Sequence, residues 1–201
     1  MKATGNLVPI DDLRPTQMSV GFEEVARKRR EWSAASGPQR GKMLRQHVVP
    51  AVTGPKGRFY VVDHHHFVKS LMEEGEATLP VFVMAELHHL PKDEFWTVLD
   101  NRSWCHAYDG KGARKALNRI PKRFEDLEDD PFRSLASQLL RTGAIAKSDT
   151  PFFEFLWADY LRRRMNAEAV QKGGESANAE AFALAKNPAA KELPGWCGVK
   201  A

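Results

Sequence analysis

The chain has 201 residues, of which 42% are hydrophobic and 28% charged, with a net charge of +4 and a pI of about 9.1. That length holds one large domain or two small ones, and the composition is too apolar for a disordered chain. The mild basic excess favours anionic ligands, two cysteines are too few for a disulfide framework or a zinc site, and no stretch reaches the roughly 18 apolar residues of a membrane span.

"NLVPIDDL" (6–13) predicts a short strand leading to a turn at Pro15. Residues 20–36 predict a helix, with Val20, Phe22, Val25 and Trp32 as its apolar stripe, Ser19 as N-cap and Gly37-Pro38 as its stop. "HVVPAV" (47–52) and "RFYVV" (58–62) predict a hairpin around "GPKG" (54–57), and Pro50 marks an edge strand or a bulge. "DHHH" (63–66) then leads into a helix that ends at Gly75, and "ATLPVFVMAEL" (77–87) is a third, strongly apolar strand. Strand, helix, strand in this order is βαβ-like.

Beyond Leu87 helical grammar dominates. Residues 91–102 predict a helix, and "CHAYDGKGARKAL" (105–117) a loop. Asp130 as N-cap and Pro131 at the first helical position open a helix that closes at Gly143. Residues 149–165 repeat that pattern with Asp149 or Thr150 capping and Pro151 just inside, and residues 178–193 form an alanine-rich helix broken at Pro188. The expected fold class is α+β: a small mixed sheet with helices over residues 1–90, followed by a mostly helical stretch over 91–201, packed as one compact unit. The aromatic residues Trp96, Trp104, Phe152, Phe153, Phe155 and Trp157 are expected in a core between the halves. The basic runs "VARKRREW" (25–32) and "DYLRRRM" (159–165) read as solvated helix faces. A cytoplasmic location is the default, with a removed signal peptide as the alternative.

The stretch Asp63, His64, His65, His66 is where chemistry concentrates. Adjacent residues diverge on a strand and on a helix, so three consecutive histidines do not readily face one ion. A helix that begins just after a strand presents main-chain N–H groups and the positive end of its dipole, which suits an anion. Histidine side chains on the first turn add donors, and Asp63 can hold a ring tautomer or offer oxygen to Mg²⁺. The plainer alternative is a capping aspartate with exposed histidines. Glu24 is a candidate general base, or else an exposed acid pairing with Lys28. Arg133 and Ser134, at the start of a helix, are a candidate second anion site, or else solvated first-turn residues.

"VVDHHHFVKSL", with "LRPTQMSVGFEEV" (13–25) upstream, resembles the ParB/sulfiredoxin superfamily and most of all its ParB-like nuclease branch. In that superfamily a box similar to P-x-Q precedes a box of the form D-G-H-H-R. Pro15 and Gln17 stand in the first, and Asp63, His65 and His66 in the second. Residues 129–162 are similar to the helical part of the same branch. The resemblance implies a nucleotide or phosphate site at residues 63–66 with Mg²⁺, the nucleotide being ATP, ADP or CTP, and phosphoryl transfer or nucleotide hydrolysis as the reaction. It assigns Asp63 to the metal, His65 and His66 to phosphate or proton transfer, and Gln17 to the floor of the site. His64 stands where that box has glycine and Phe67 where it has arginine, so Lys69, Arg58 or Arg133 are the candidates to supply the missing charge. A nuclease acting on DNA and a non-enzymatic DNA-binding or partitioning module are the alternatives. The expected partner is a nucleotide or a phosphorylated small molecule, with nucleic acid as a further candidate and no membrane.

Overall fold

Five short strands form a mixed sheet in this computed structural model, which describes residues 5–198. In chain order the elements are β1 (Asn6–Pro9), a 3₁₀ turn (Ile10–Asp12), β2 (Leu13–Pro15), β3 (Ser19–Val20), α1 (Phe22–Ala34), α2 (Gly37–Gln46), β4 (Val49–Thr53), β5 (Phe59–Val61), α3 (His65–Glu73), β6 (Thr78–Glu86), α4 (Lys92–Asn101) and β7 (Glu128–Asp129). Then come α5 (Pro131–Arg141), α6 (Phe153–Arg162), α7 (Ala167–Lys172) and α8 (Glu175–Lys186). The fold is α+β. Among the described residues no helix is long and apolar enough to cross a membrane.

The sheet order is β1-β6-β4-β5-β2, and β3 pairs separately with β7 in parallel. The expected hairpin is present, β4 antiparallel to β5. The third strand, however, lies beside β4 and parallel to it, so β5–α3–β6 is not a parallel βαβ unit. The crossover runs from β4 through the β5 hairpin and α3 back to β6. Pro50 sits in a central strand rather than at an edge. The register shift expected of a bulge follows directly, between Ala51 and Val52, and the Pro50 carbonyl still accepts from Val62 N–H at 2.8 Å. Ala51 and Val52 are both fully buried and belong to different apolar clusters, as alternation along a strand requires. Ala51 joins Val49, Val81, Trp32, Phe67, Val68 and Leu71, whereas Val52 joins Phe95, Trp96 and Leu99. Gly54 closes this second cluster: a Cβ there would lie 2.6 Å from the Tyr60 ring and 2.7 Å from that of Phe95.

The chain divides into two compact units: residues up to Val20 with Val25–Asp129, and Gly21–Glu24 with Asp130 onward. Residues 91–129 thus group with the sheet rather than with the later helices. In the second unit α5, α6, α7 and α8 enclose Phe132, Leu135, Leu139, Trp157, Leu161 and Val170. Of the six aromatic residues expected in a core between the halves, Trp96 lies in a core of the first unit with Trp104 packed against it, and Phe153 and Trp157 lie in the core of the second.

Four local readings change. Ser19 lies in β3, its hydroxyl donating to the Tyr108 carbonyl at 3.2 Å, and is not the cap of α1. Gly37-Pro38 opens a helix instead of merely ending one, because Ser36 and Gln39 form a capping box with proline in the first turn. Helix α6 begins only at Phe153, with Phe152 left-handed at its N-cap (φ 57°), while Ser148 and Thr150 hydrogen-bond to each other. A short helix, α7, precedes α8 and is capped by Asn166. Asp130 does cap α5, accepting from Phe132 N–H at 3.0 Å. Both cysteines are free, and burial pushes the Cys105 thiol up to about 12.

The basic runs are largely tied to carboxylates. Arg29 reaches Glu73 and Glu74, Arg27 pairs with Glu31, Arg162 with Asp130, and Arg163 with Asp159.

Candidate functional site

The turn at residues 63–66 links the end of β5 to α3 within the first unit. His64 is the N-cap of α3 and is left-handed, with φ 70° and ψ 24°. A side chain there costs about 1–2 kcal/mol relative to glycine. His64 therefore adopts a conformation that glycine takes at no steric cost. Asp63 stabilises it locally, its Oδ1 accepting from His64 N–H at 2.6 Å. The His64 side chain does not cap the helix, and the first helical bond runs from Val68 N–H to the His64 carbonyl at 3.0 Å. The first turn of α3 thus starts at an exposed carboxylate and a left-handed residue.

His65 points inward and is only 2% exposed. Its Nε2 accepts from Thr16 N–H at 3.1 Å, which leaves the ring proton on Nδ1 when the ring is neutral. The Thr16 hydroxyl donates to the Val61 carbonyl at 2.7 Å, and Thr16 carbonyl accepts from His106 N–H at 2.8 Å. Thr16 is the residue that sequence reasoning passed over, although it stands between Pro15 and Gln17 in the first box. It joins the two boxes directly. Gln17 is buried beside it and bridges to His106 through the main chain. His66 is half-buried on the first turn of α3.

The residues expected to restore the missing charge are engaged elsewhere. Phe67 is core. Lys69 is 5% exposed, donates to the Phe124 carbonyl at 3.1 Å and pairs with Glu73 at 3.1 Å. Arg58 pairs with Asp12. Arg133, Ser134 and Glu24 belong to the second unit. There the Arg133 guanidinium meets Glu154 at 2.8 Å and lies over the Phe155 ring, Ser134 is packed against the Gly21 backbone, and buried Glu24 accepts from Arg141 at 3.3 Å. Glu24 is thus buried and meets an arginine, so it is not an exposed acid, and Arg133 is not a solvated residue.

A basic residue that the sequence did not single out stands beside the turn instead. His47, at the end of α2, places its ring 5.6 Å from that of His64, edge-on, and 5.0 Å from that of Phe67. Burial holds His47 below the usual histidine range. The charges of His64 and Lys28 push the same way, and Glu31 opposes them. No local signal marks His47, because its neighbours at the site come from α1 and α3.

Among the described residues no group of three or more histidine, cysteine, aspartate or glutamate side chains is placed to hold a metal ion. Asp63 offers one exposed carboxylate with one oxygen committed to His64 N–H. That fits Mg²⁺ shared with a ligand's phosphates and does not fit a cage built by the protein alone. A cleft of about 320 Å³ in the same unit is lined by Ile10, Leu13, Arg14, Met72, Arg123 and Phe124, among others. Its Phe124 wall is tied to α3 through Lys69 and lies 5.8 Å from the His65 ring.

The chain is similar to protein Atu1540 from Agrobacterium tumefaciens, whose crystal structure shares 47% identity over 97% of this chain and 98% of that one, with a TM-score of 0.89. A crystal structure of the C-terminally truncated chromosome-partitioning protein ParB from Caulobacter crescentus, complexed to the centromeric parS site, matches at 14% identity, 88% of this chain, 97% of that one and a TM-score of 0.32. No curated protein matches the chain. The family model described as "Putative ParB-like nuclease" matches residues 6–163, most of the chain and both boxes, and the protein belongs to that family.

Proposed function

We propose that the Asp63–His66 turn binds the phosphate groups of a nucleotide or a phosphorylated small molecule, and that a phosphoryl group is transferred or hydrolysed there. The observation that carries this reading is His64 in the left-handed region at the N-cap of α3. A histidine that accepts the strain of a glycine conformation keeps the helix start open to an anion rather than closing it with a capping side chain. Phosphoryl transfer needs positioning and charge neutralisation more than a covalent nucleophile. His66, on the first turn, donates to phosphate or carries a proton. His65 acts as a positioning residue through Thr16, and buried Gln17 shapes the floor. Asp63 would hold Mg²⁺, which supplies neutralisation of phosphate charge when bound. Glu24, paired with Arg141 in the second unit, is assigned no step.

Calorimetry with ATP, ADP and CTP, with and without Mg²⁺, tests the reading. Binding of at least one, lost on His64→Asp, is expected, because a second carboxylate at the helix start repels phosphate. The family's description favours a second reading, a metal-dependent phosphodiesterase acting on DNA. Metal-dependent cleavage of plasmid DNA without binding of any of the three nucleotides would replace the first reading by the second. A salt-sensitive DNA shift without cleavage would point to a binding module instead.

A further inference from the structure

We propose that the exposed face of α2, centred on Lys42 and Arg45, docks against the phosphodiester backbone of duplex DNA. Residues 25–47 hold seven lysines and arginines and one glutamate, a balance of +6 against +4 for the whole chain, so the rest of the chain is negative by two. In α1 part of that charge is neutralised: Arg27 pairs with Glu31, and Arg29 with Glu73 and Glu74. Helix α2 has no carboxylate of its own. Its Arg40 holds the helix in place, Nε donating to the Trp32 carbonyl at 3.0 Å while the guanidinium lies 5.2 Å from the centre of the Trp32 ring. Met43 and Leu44 pack against the core of the first unit. Lys42 and Arg45 stay exposed, and neither forms an ion pair among the described residues.

The two cations share one stripe. Positions three apart on a helix are neighbours, about 5–6 Å between Cβ atoms. Exposed Gln39 and Gln46 extend the stripe by a turn at either end with amide groups. Arg45 reaches back over the turn left bare at Gly41, where a Cβ would lie 3.3 Å from its Nη1. No residue of α2 is buried, and this stripe carries no aromatic or large aliphatic side chain. That chemistry selects the partner. A protein partner is bound through an apolar, aromatic-rich centre. A helix that settles into lipid headgroups presents Trp, Phe or Leu to them, whereas Leu44 faces the protein's own core. Single-stranded nucleic acid is held by stacking on aromatic rings. Duplex DNA instead takes a polar, cationic surface, because half or more of its hydrogen bonds to proteins go to phosphate and sugar. Such contacts position a duplex without reading its sequence. The stripe uses none of the residues assigned to the Asp63–His66 turn, so it adds a partner to the phosphate reading without resting on it.

The test measures binding of a short labelled DNA duplex of arbitrary sequence by fluorescence anisotropy, between about 50 and about 200 mM salt. Wild type is compared with a double variant, Lys42→Gln with Arg45→Gln, and with a control, Lys172→Gln with Lys191→Gln, which removes the same charge from the second unit. Log affinity should fall linearly with log salt, and the α2 variant should lose about 1.8 from that slope. Wild type then loses roughly twelvefold more affinity than the α2 variant over this range, and the control keeps the wild-type slope. Amide hydrogen exchange on wild type should show α2 protected when duplex is added, which decides the matter if the α2 variant does not fold. Equal slopes in wild type and the α2 variant, or unchanged exchange across α2, would overturn the proposal. So would a preference for single-stranded DNA or for anionic phospholipid vesicles over the duplex. Salt-sensitive binding that depends on α2 supports the inference whatever ATP, ADP and CTP do at the turn, and wild type that fails to bind duplex overturns it while leaving the phosphate reading in place.

Discussion

The Nε2 of His65 accepts a hydrogen bond from Thr16 N–H across 49 positions of sequence, at 3.1 Å and out of contact with water. The bond joins the strand that carries the first box to the helix that carries the second. His65→Ala removes a buried ring and leaves a buried N–H without its acceptor. The expected loss is about 2–4 kcal/mol of unfolding free energy, measured by denaturant titration. A change under about 0.5 kcal/mol would show that His65 does not hold the two boxes together.

His64 bears the opposite kind of constraint. Its φ of 70° suits glycine, so His64→Gly relieves strain while adding chain entropy to the unfolded state. The net expectation is a change between zero and about 1 kcal/mol of stabilisation. His64→Val, β-branched, should cost about 1–2 kcal/mol. Equal melting temperatures for the two variants would contradict the left-handed conformation.

Lys69 was expected at the phosphate and is instead nearly buried between the Phe124 carbonyl and Glu73. Lys69→Ala should destabilise the fold by about 2–3 kcal/mol, since both partners lose their donor. Thermal unfolding checks this, and an unaltered melting curve would return Lys69 to the list of surface cations.

In the second unit Asp130 caps α5 and meets Arg162 at 2.6 Å while almost wholly buried. Burial pushes its carboxyl up against the pull of Arg162. Asp130→Ala removes the cap and the nearer of the two carboxylates that Arg162 meets, leaving Asp159 at 3.6 Å, with an expected cost of about 3–5 kcal/mol. Asp130→Asn, which can still cap, should cost less. Denaturation of both variants tests the order, and a costlier asparagine would invert the argument.

Because His47 is held below the ordinary histidine value of about 6.5, the folded state prefers it neutral. Its contribution to stability is complete above that value and is lost as pH falls through the lowered one. Without anion, the melting temperature should therefore decline on acidification below about pH 6.5, and less so in His47→Gln. Parallel declines in the two proteins would assign the loss to other groups.

The residues that could be read alone are those whose partners lie within a few positions. Asp130-Pro131 announces α5 because the cap bonds to N–H groups two and three residues on. The strand, DHHH box and helix from Phe59 to Glu73 are legible for the same reason, as is the β4–β5 hairpin. Ser36 and Gln39 carried an equally local capping signal, hidden by reading Gly37-Pro38 only as a stop. The sequence by itself thus determined the α+β class, the order of most elements and the place of the turn. Tertiary structure alone decided that β6 lies beside β4, that Lys69 turns to Phe124, that His65 serves Thr16 and that His47 settles against His64 and Phe67. Those choices depend on which apolar faces pack together and on which buried donor finds which acceptor, and neither is encoded in the spacing of neighbouring residues.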